Sequence, residues 1–185
     1  MKHLGTKRIE TERLILRPHI VEDAEAMYKN WAHDPEVTKY LTWAVHESAD
    51  SSRELLEEWV PQYKDERYYQ WAIALKENEA EPIGGISVVS INDDVGSVHV
   101  GYCIGQRWWH QGIMTEALGA VIDFFFNEVG ANRIESRHDP NNPHSGDVMK
   151  KCGMKYEGTM RQSDRNNQGI CDSSWYAILK EDYSS

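Results

Sequence analysis

The stretch RWWHQGIMTEA, residues 107–117, sets a cluster of bulky polar and aromatic side chains against one glycine, Gly112, and a helical pattern begins directly after it. An ordinary helix start favours Ser, Asp or Asn as its cap. Ile113, Ala117, Val121, Phe124 and Phe125 share one helical face, so strand 95–105, loop 106–112 and helix 113–128 form a strand–loop–helix unit. The first turn of a helix presents free N–H groups and partial positive charge, which suit a phosphate. Gly112 lets the backbone approach such a group, and His110 and Gln111 add neutral donors. Thr115 and Glu116 fall in the first turn, where an inward-pointing Glu116 would repel an anion; its side chain is expected to satisfy backbone or loop donors instead. Taken alone, the junction reads first as a tight turn and second as a phosphate seat. Neither G-x-x-x-x-G-K-[ST] nor G-x-G-x-x-G is present, which excludes the two common nucleotide-binding loops.

A second group surrounds Asn142-Pro143-His144-Ser145. Asn142 reads as a helix cap, Pro143 as the first residue of a helix over 143–153, and Gly153 as its stop. From spacing alone, Ser145 is an exposed helix residue. Candidate acids and bases are Asp164 in the polar turn Asp164–Gly169, Glu135, Glu157, His138 at a strand end, and His99. The three cysteines, Cys103, Cys152 and Cys171, are too few and too irregularly spaced for a disulfide framework or a zinc site, so no metal is expected. Cys103, inside a strand, reads as a small hydrophobe rather than a nucleophile.

The elements that must position these groups follow from apolar periodicity. Strands are expected at 8–17, 68–77, 82–91, 95–105, 132–138, 154–162 and 171–179, with a hairpin turn at Asn92-Asp93-Asp94. Helices are expected at 21–32, at 50–63 with Ser51 or Ser52 as cap, at 113–128 ended by Gly130, and at 143–153. This order implies a mixed sheet with helices packed on it, an α/β (α+β) sandwich forming a single domain over 1–185. The net charge of −10 argues against nucleic acid as a partner and suits a cationic one. The N-terminus lacks an apolar signal core and no window approaches a membrane span, so a soluble cytoplasmic protein without a membrane partner is expected.

ETERLILRP at 10–18, PIGGISV at 82–88, VGYCIGQRWWHQGIMTEAL at 100–118 and DPNNPHSGDVMKKCGMKYEGTMR at 139–161 resemble, in order, the GNAT-superfamily N-acetyltransferases, in particular the RimJ/RimL-type branch that acetylates ribosomal-protein N-termini. The resemblance implies a mixed, mostly antiparallel sheet of about seven strands flanked by four helices, and acetyl-CoA as co-substrate. The family's pyrophosphate loop, Q/R-x-x-G-x-G/A, falls on Trp109-His110-Gln111-Gly112-Ile113-Met114. The central glycine is kept, Trp109 stands at the first position, and Met114 replaces the small last residue. By this resemblance the amides of 109–114 wrap the pyrophosphate, with Thr115 following. Tyr102, Cys103 and Ile104 run beside the pantetheine arm, which pairs as an added strand would. The two tryptophans wall the loop or pack beneath it.

Asn142 would then contact the arm, and Ser145 would hydrogen-bond the sulfur and act as general acid. Asp164 falls where the branch can place a catalytic glutamate. The implied reaction is direct attack of a primary amine in a ternary complex. Its acceptor is first a protein N-terminal α-amine, with a small-molecule amine or a non-catalytic acetyl-CoA sensor as alternatives. At pH 7 an α-amine of pKa about 8 loses its proton for about 1.4 kcal/mol, whereas lysine at about 10.4 costs about 4.6 kcal/mol. Helices 21–32 and 50–63, with Trp31, Tyr40 and Trp43, are expected to wall the acceptor site, and the resemblance implies a homodimer.

Overall fold

Period-2 apolar runs build one eight-stranded sheet in this computed structural model, which describes residues 1–183. The strands are β1 (Ile9–Glu10), β2 (Leu14–Arg17), β3 (Gln70–Leu75), β4 (Pro82–Asn92), β5 (Ser97–Ile104), β6 (Arg133–His138), β7 (Lys155–Asn166) and β8 (Gly169–Leu179). Their order is β1-β2-β3-β4-β5-β6-β8-β7, and every pair is antiparallel except β5–β6. The strand expected over 8–17 is a small hairpin, which is why the sheet has eight strands rather than about seven. Thr11 accepts Leu14 N–H on its hydroxyl, and Thr11 N–H donates to Leu14 O, so the chain reverses there.

The helices are α1 (Ala24–Met27), α2 (Pro35–Thr38), α3 (Ala49–Trp59), α4 (Ile113–Phe124), α5 (Pro143–Lys151) and α6 (Lys180–Tyr183). Helix 21–32 is broken into a 3-10 turn, the single turn of α1, and a π turn at Tyr28–Ala32. Asp34 starts α2 by accepting Glu36 N–H, a cap the periodicity did not reveal. α3 has Ser48, not Ser51 or Ser52, at its cap position; Ser52 is buried against His46 instead. Pro61 has no N–H to continue the α ladder, and α3 tightens into a 3-10 turn at Val60–Lys64. Gly130 and Gly153, both at positive φ, end the α4 segment and α5 as expected.

Two apolar layers hold the sheet. α4 and the π turn that follows it pack Ala117, Leu118, Val121 and Phe125 against Leu14, Leu16, Trp71, Ile73, Val98, Val100 and Ile134. α1, α2 and α3 contribute a second cluster, Ala24, Met27, Trp31, Ala32, Val37 and Leu56, against which Cys103 and Trp109 pack. Successive side chains of β5 point to opposite faces, so Tyr102 joins the first layer and Cys103 the second. The functional opening is made between β5 and β6. They pair only from Ser97↔Arg133 to His99↔Glu135, although β5 continues to Ile104 on β4 and β6 to His138 on β8. The divergence starts beside a bulge on β4. Val88 pairs with Val100 and Ser90 with His99, which leaves Val89 unpaired and 59 % exposed. Bulges bend and twist the strand that carries them.

Candidate active site

Where β5 leaves β6, its backbone edge is open. Gly105 N–H donates to Ile83 O on the β4 side, so the peptide groups of Val100, Tyr102 and Ile104 face the gap. Ser136 Oγ donates to Val100 O at 2.8 Å and Trp109 Nε1 donates to Ile104 O at 2.9 Å. Between them, Tyr102 keeps its N–H and C=O without a partner among the described residues. An extended chain bearing amides can pair there, as a strand adds to a sheet edge. The gap is the mouth of a cavity of about 530 Å³ lined by Tyr102, Cys103, Ile104, Trp109, His110, Gly112, Ile113, Met114, Thr115, Asn142, Ser145 and Asp164.

The loop into α4 is held from beneath. At Gly105 a Cβ would lie 2.2 Å from Asn30 O and 2.8 Å from the Trp108 ring, so only glycine lets the chain pass. Trp108 and Trp109 are half-buried supports, as expected. Gly112 adopts φ 73°, and Glu116 N–H closes the first helical bond to Gly112 O. Glu116 turns away from the mouth: its carboxylate accepts from Thr11 Oγ1 at 2.6 Å, Arg13 N at 2.8 Å and Arg13 Nε at 2.6 Å. Arg13 also donates to Gln111 O. The free first-turn amides of α4 are thereby left to the cavity. Met114 packs into the core at 6 % exposure, so its bulk adds wall without blocking the loop. Gln111 departs from expectation: its side chain donates to Arg107 O and does not line the cavity.

α5 faces this loop across the cleft. Asn142 occupies the cap position, but its side chain makes no capping bond and lines the cavity, which corrects its reading as a plain cap. Ser145 Oγ donates to Tyr102 Oη at 3.2 Å, and Tyr102 Oη donates to Ser145 O at 2.9 Å. Burial holds the Tyr102 phenol well above its usual range, so it stays protonated at neutral pH. Gly146 allows the approach of β6: a Cβ there would sit 2.5 Å from His138 Nε2. Cys103 reaches the cavity wall, but burial pushes its thiol up to about 12, which leaves little thiolate.

The far end of the cavity is polar. Asp164 pairs with Arg137 Nε at 2.7 Å. Asp139, which the sequence did not single out, accepts Asn141 N–H at 2.9 Å, Asn141 Nδ2 at 3.0 Å and Asn166 Nδ2 at 2.9 Å, with no cation paired to it among the described residues. His99 is driven down to about 4 by burial and then by Arg137, so it is neutral at pH 7. Glu135 and Glu157 both bind Arg133 and do not line the cavity. Val37, Tyr40, Leu41 and Thr42 form the opposite wall. α3 does not reach it, Trp31 is core at 2 % exposure, and Trp43 packs on the second cluster, which corrects three of the expected acceptor contacts. Segment 38–43 is anchored by the β7–β8 turn: Asn167 Nδ2 donates to Thr38 O and Trp43 O, and Asn167 N–H to Leu41 O.

The family model described as Acetyltransferase (GNAT) domain matches residues 13–155. N-acetyltransferase p20 of Bacillus licheniformis is 29 % identical over 94 % of this chain and 97 % of its own length. The [ribosomal protein uS5]-alanine N-acetyltransferase of Escherichia coli is 28 % identical over 82 % of this chain and 79 % of its own. The solved structure of RimL, a ribosomal L7/L12 α-N-protein acetyltransferase in complex with coenzyme A, superposes with a TM-score of 0.81, covering 94 % of this chain and 98 % of that one at 20 % identity.

Proposed function

Since the chain belongs to the GNAT acetyltransferase family and is an acetyl-CoA-dependent N-acetyltransferase, we propose that its acceptor is a protein N-terminal α-amine of ribosomal-protein type. The observation that carries this reading is the shape of the far end of the cleft. The main cavity adjoins a second, polar groove formed by Asn167, Gln168 and Gly169, which shares Thr42, Arg165 and Asn166 with it. A chain whose terminal amine enters the cavity finds in that groove a path for its following residues. Relatives that act on uS5 and L7/L12 N-termini support the same acceptor class. So does the proton cost, about 1.4 kcal/mol for an α-amine against about 4.6 kcal/mol for lysine.

Acetyl-CoA supplies the thioester, and the residues supply position and protons. The open edge at Tyr102 and the side chain of Asn142 hold the arm, and the amides of 109–114 hold the phosphates. Ser145 protonates the departing thiolate and recovers its proton from solvent through the open cleft, while the Tyr102 hydroxyl, bonded to Ser145 O, holds it in position. The acceptor ammonium must release a proton before its nitrogen attacks. Asp164 is already matched by Arg137, whereas Asp139 has no cation in ion-pair contact among the described residues and is held by amide donors and the Cys171 thiol. Asp139 therefore takes that proton through water, while Asp164 keeps Arg137 in place beside it. The amine attacks directly, and no acetyl group passes through Cys103.

Mass-spectrometric acetylation of a mixed panel tests this: free-N-terminus peptides, N-blocked lysine peptides, polyamines and aminoglycosides. Acetylation of the free-N-terminus peptides supports the proposal. Acetylation of small amines alone overturns the acceptor class, and binding without turnover of any acceptor favours a sensor.

A further inference from the structure

The two helix entries that border the cleft touch through a pair of imidazoles. His110, in the loop before α4, and His144, in the first turn of α5, meet edge to face, with ring centroids 4.6 Å apart and planes at 77°. Both rings line the cavity. His110 holds φ 59°, a left-handed conformation that a non-glycine residue adopts at a cost. Among the described residues neither ring has a hydrogen-bond partner or a carboxylate in ion-pair contact.

The surrounding charges are committed elsewhere or point both ways. On α5, Asp147 and Lys151 line the cleft, and Asp147 lies 3.5 Å from Lys150. On the loop, Arg107 lies over the Trp108 ring. From the β1–β2 turn, Arg13 is bound to Glu116 and Gln111. From β5 comes the protonated Tyr102 phenol, and from the end of β6 come His138 and Asp139.

Two imidazolium ions at this separation repel, and the N-terminal ends of α4 and α5 oppose positive charge beside them. An anion between the helices reverses both effects. We propose that His110 and His144 form one proton-binding clamp for the diphosphate of coenzyme A, and that the pair takes up a proton from solvent as the phosphates enter. The inference rests on the reading that the Gly112 loop receives those phosphates. An entering diphosphate favours the charged imidazoles, so affinity is greatest at low pH and falls as pH rises.

Titration calorimetry of the whole chain with dephospho-CoA tests this at pH 6, 7 and 8, each in two buffers of different ionisation heat. Dephospho-CoA is the probe because the 3′-phosphomonoester of coenzyme A itself titrates near pH 6, whereas a diphosphate diester does not. The variants are H110N, since asparagine tolerates φ 59°, H144Q, and the two combined. The wild type should take up a fraction of a proton at pH 7 and bind about fivefold more tightly at pH 6 than at pH 8. The double variant should bind with an affinity that no longer changes between those pH values and with no proton uptake. Binding by the wild type without pH dependence, or full uptake retained by the double variant, overturns the clamp while leaving the coenzyme site intact. No binding of dephospho-CoA by the folded wild type overturns both.

Discussion

Ser145 and Tyr102 face one another across the cleft, each hydrogen-bonded to the other. Ser145→Ala removes the group proposed to protonate the thiolate; it should lower kcat about 100-fold while the acetyl-CoA Kd, measured by calorimetry, stays within about threefold. An unchanged kcat would remove Ser145 from the proton path. Cys103→Ala should retain most activity because the buried thiol carries no nucleophilic charge, and intact-mass measurement should find no acetyl group on Cys103 after incubation with acetyl-CoA. Asp139→Asn should depress kcat/KM for the amine more strongly than Asp164→Asn; equal losses would contradict the separation drawn between the two acids. That Ser145 and the Gly112 loop share one cleft was legible in the sequence because motif order placed them. Asp139 was not, because only the fold shows that Arg137 has been taken by Asp164 and that Asp139 is left with amides and the Cys171 thiol. Glu116 was legible for a physical reason: an acid in an anion-binding first turn must be turned away.

At the scale of elements, a buried ion pair fixes the segment entering α1 to the sheet. Arg17 on β2 donates to both carboxylate oxygens of Asp23, and Ile20 N–H adds a third bond just before α1. Burial alone would raise the Asp23 pKa, but bonds from His19, Arg17 and Ile20 outweigh it and bring it to about 2. A depressed carboxylate stabilises the fold above its unfolded pKa, near 3.9, and that contribution is lost as pH falls from about 4 towards 2. Asp23→Ala should therefore cost about 3 kcal/mol in urea unfolding at pH 7, since it leaves Arg17 uncompensated, about half of that at pH 3 and little at pH 2. A pH-independent cost would contradict the ion-pair account. The long periodic elements, α4 and the strands around it, were readable because packing follows their pattern. Residues 21–32 were not, because their helix breaks into 3-10, α and π turns to fit the sheet. The β4 bulge at Val89, beside which β5 parts from β6, had no local sequence mark either: valine is an ordinary strand residue.

The whole molecule is an open sheet wedged apart between the only parallel strand pair among the described residues, and its cleft opens between the α4–α5 side and the side of segment 38–43 and the β7–β8 turn. Its net charge of −10 favours approach of cationic acceptors, so kcat/KM for a basic peptide should fall as salt rises, and more steeply than for a neutral one. No helix among the described residues is long and apolar enough to cross a membrane. Selectivity for an α-amine is tested by a single peptide that carries both a free N-terminus and an internal lysine, incubated with acetyl-CoA at pH 7 and read by tandem mass spectrometry. The account predicts acetyl on the α-nitrogen at a rate at least about tenfold above that on the lysine. Acetylation of the lysine alone, or of both nitrogens equally, would contradict it.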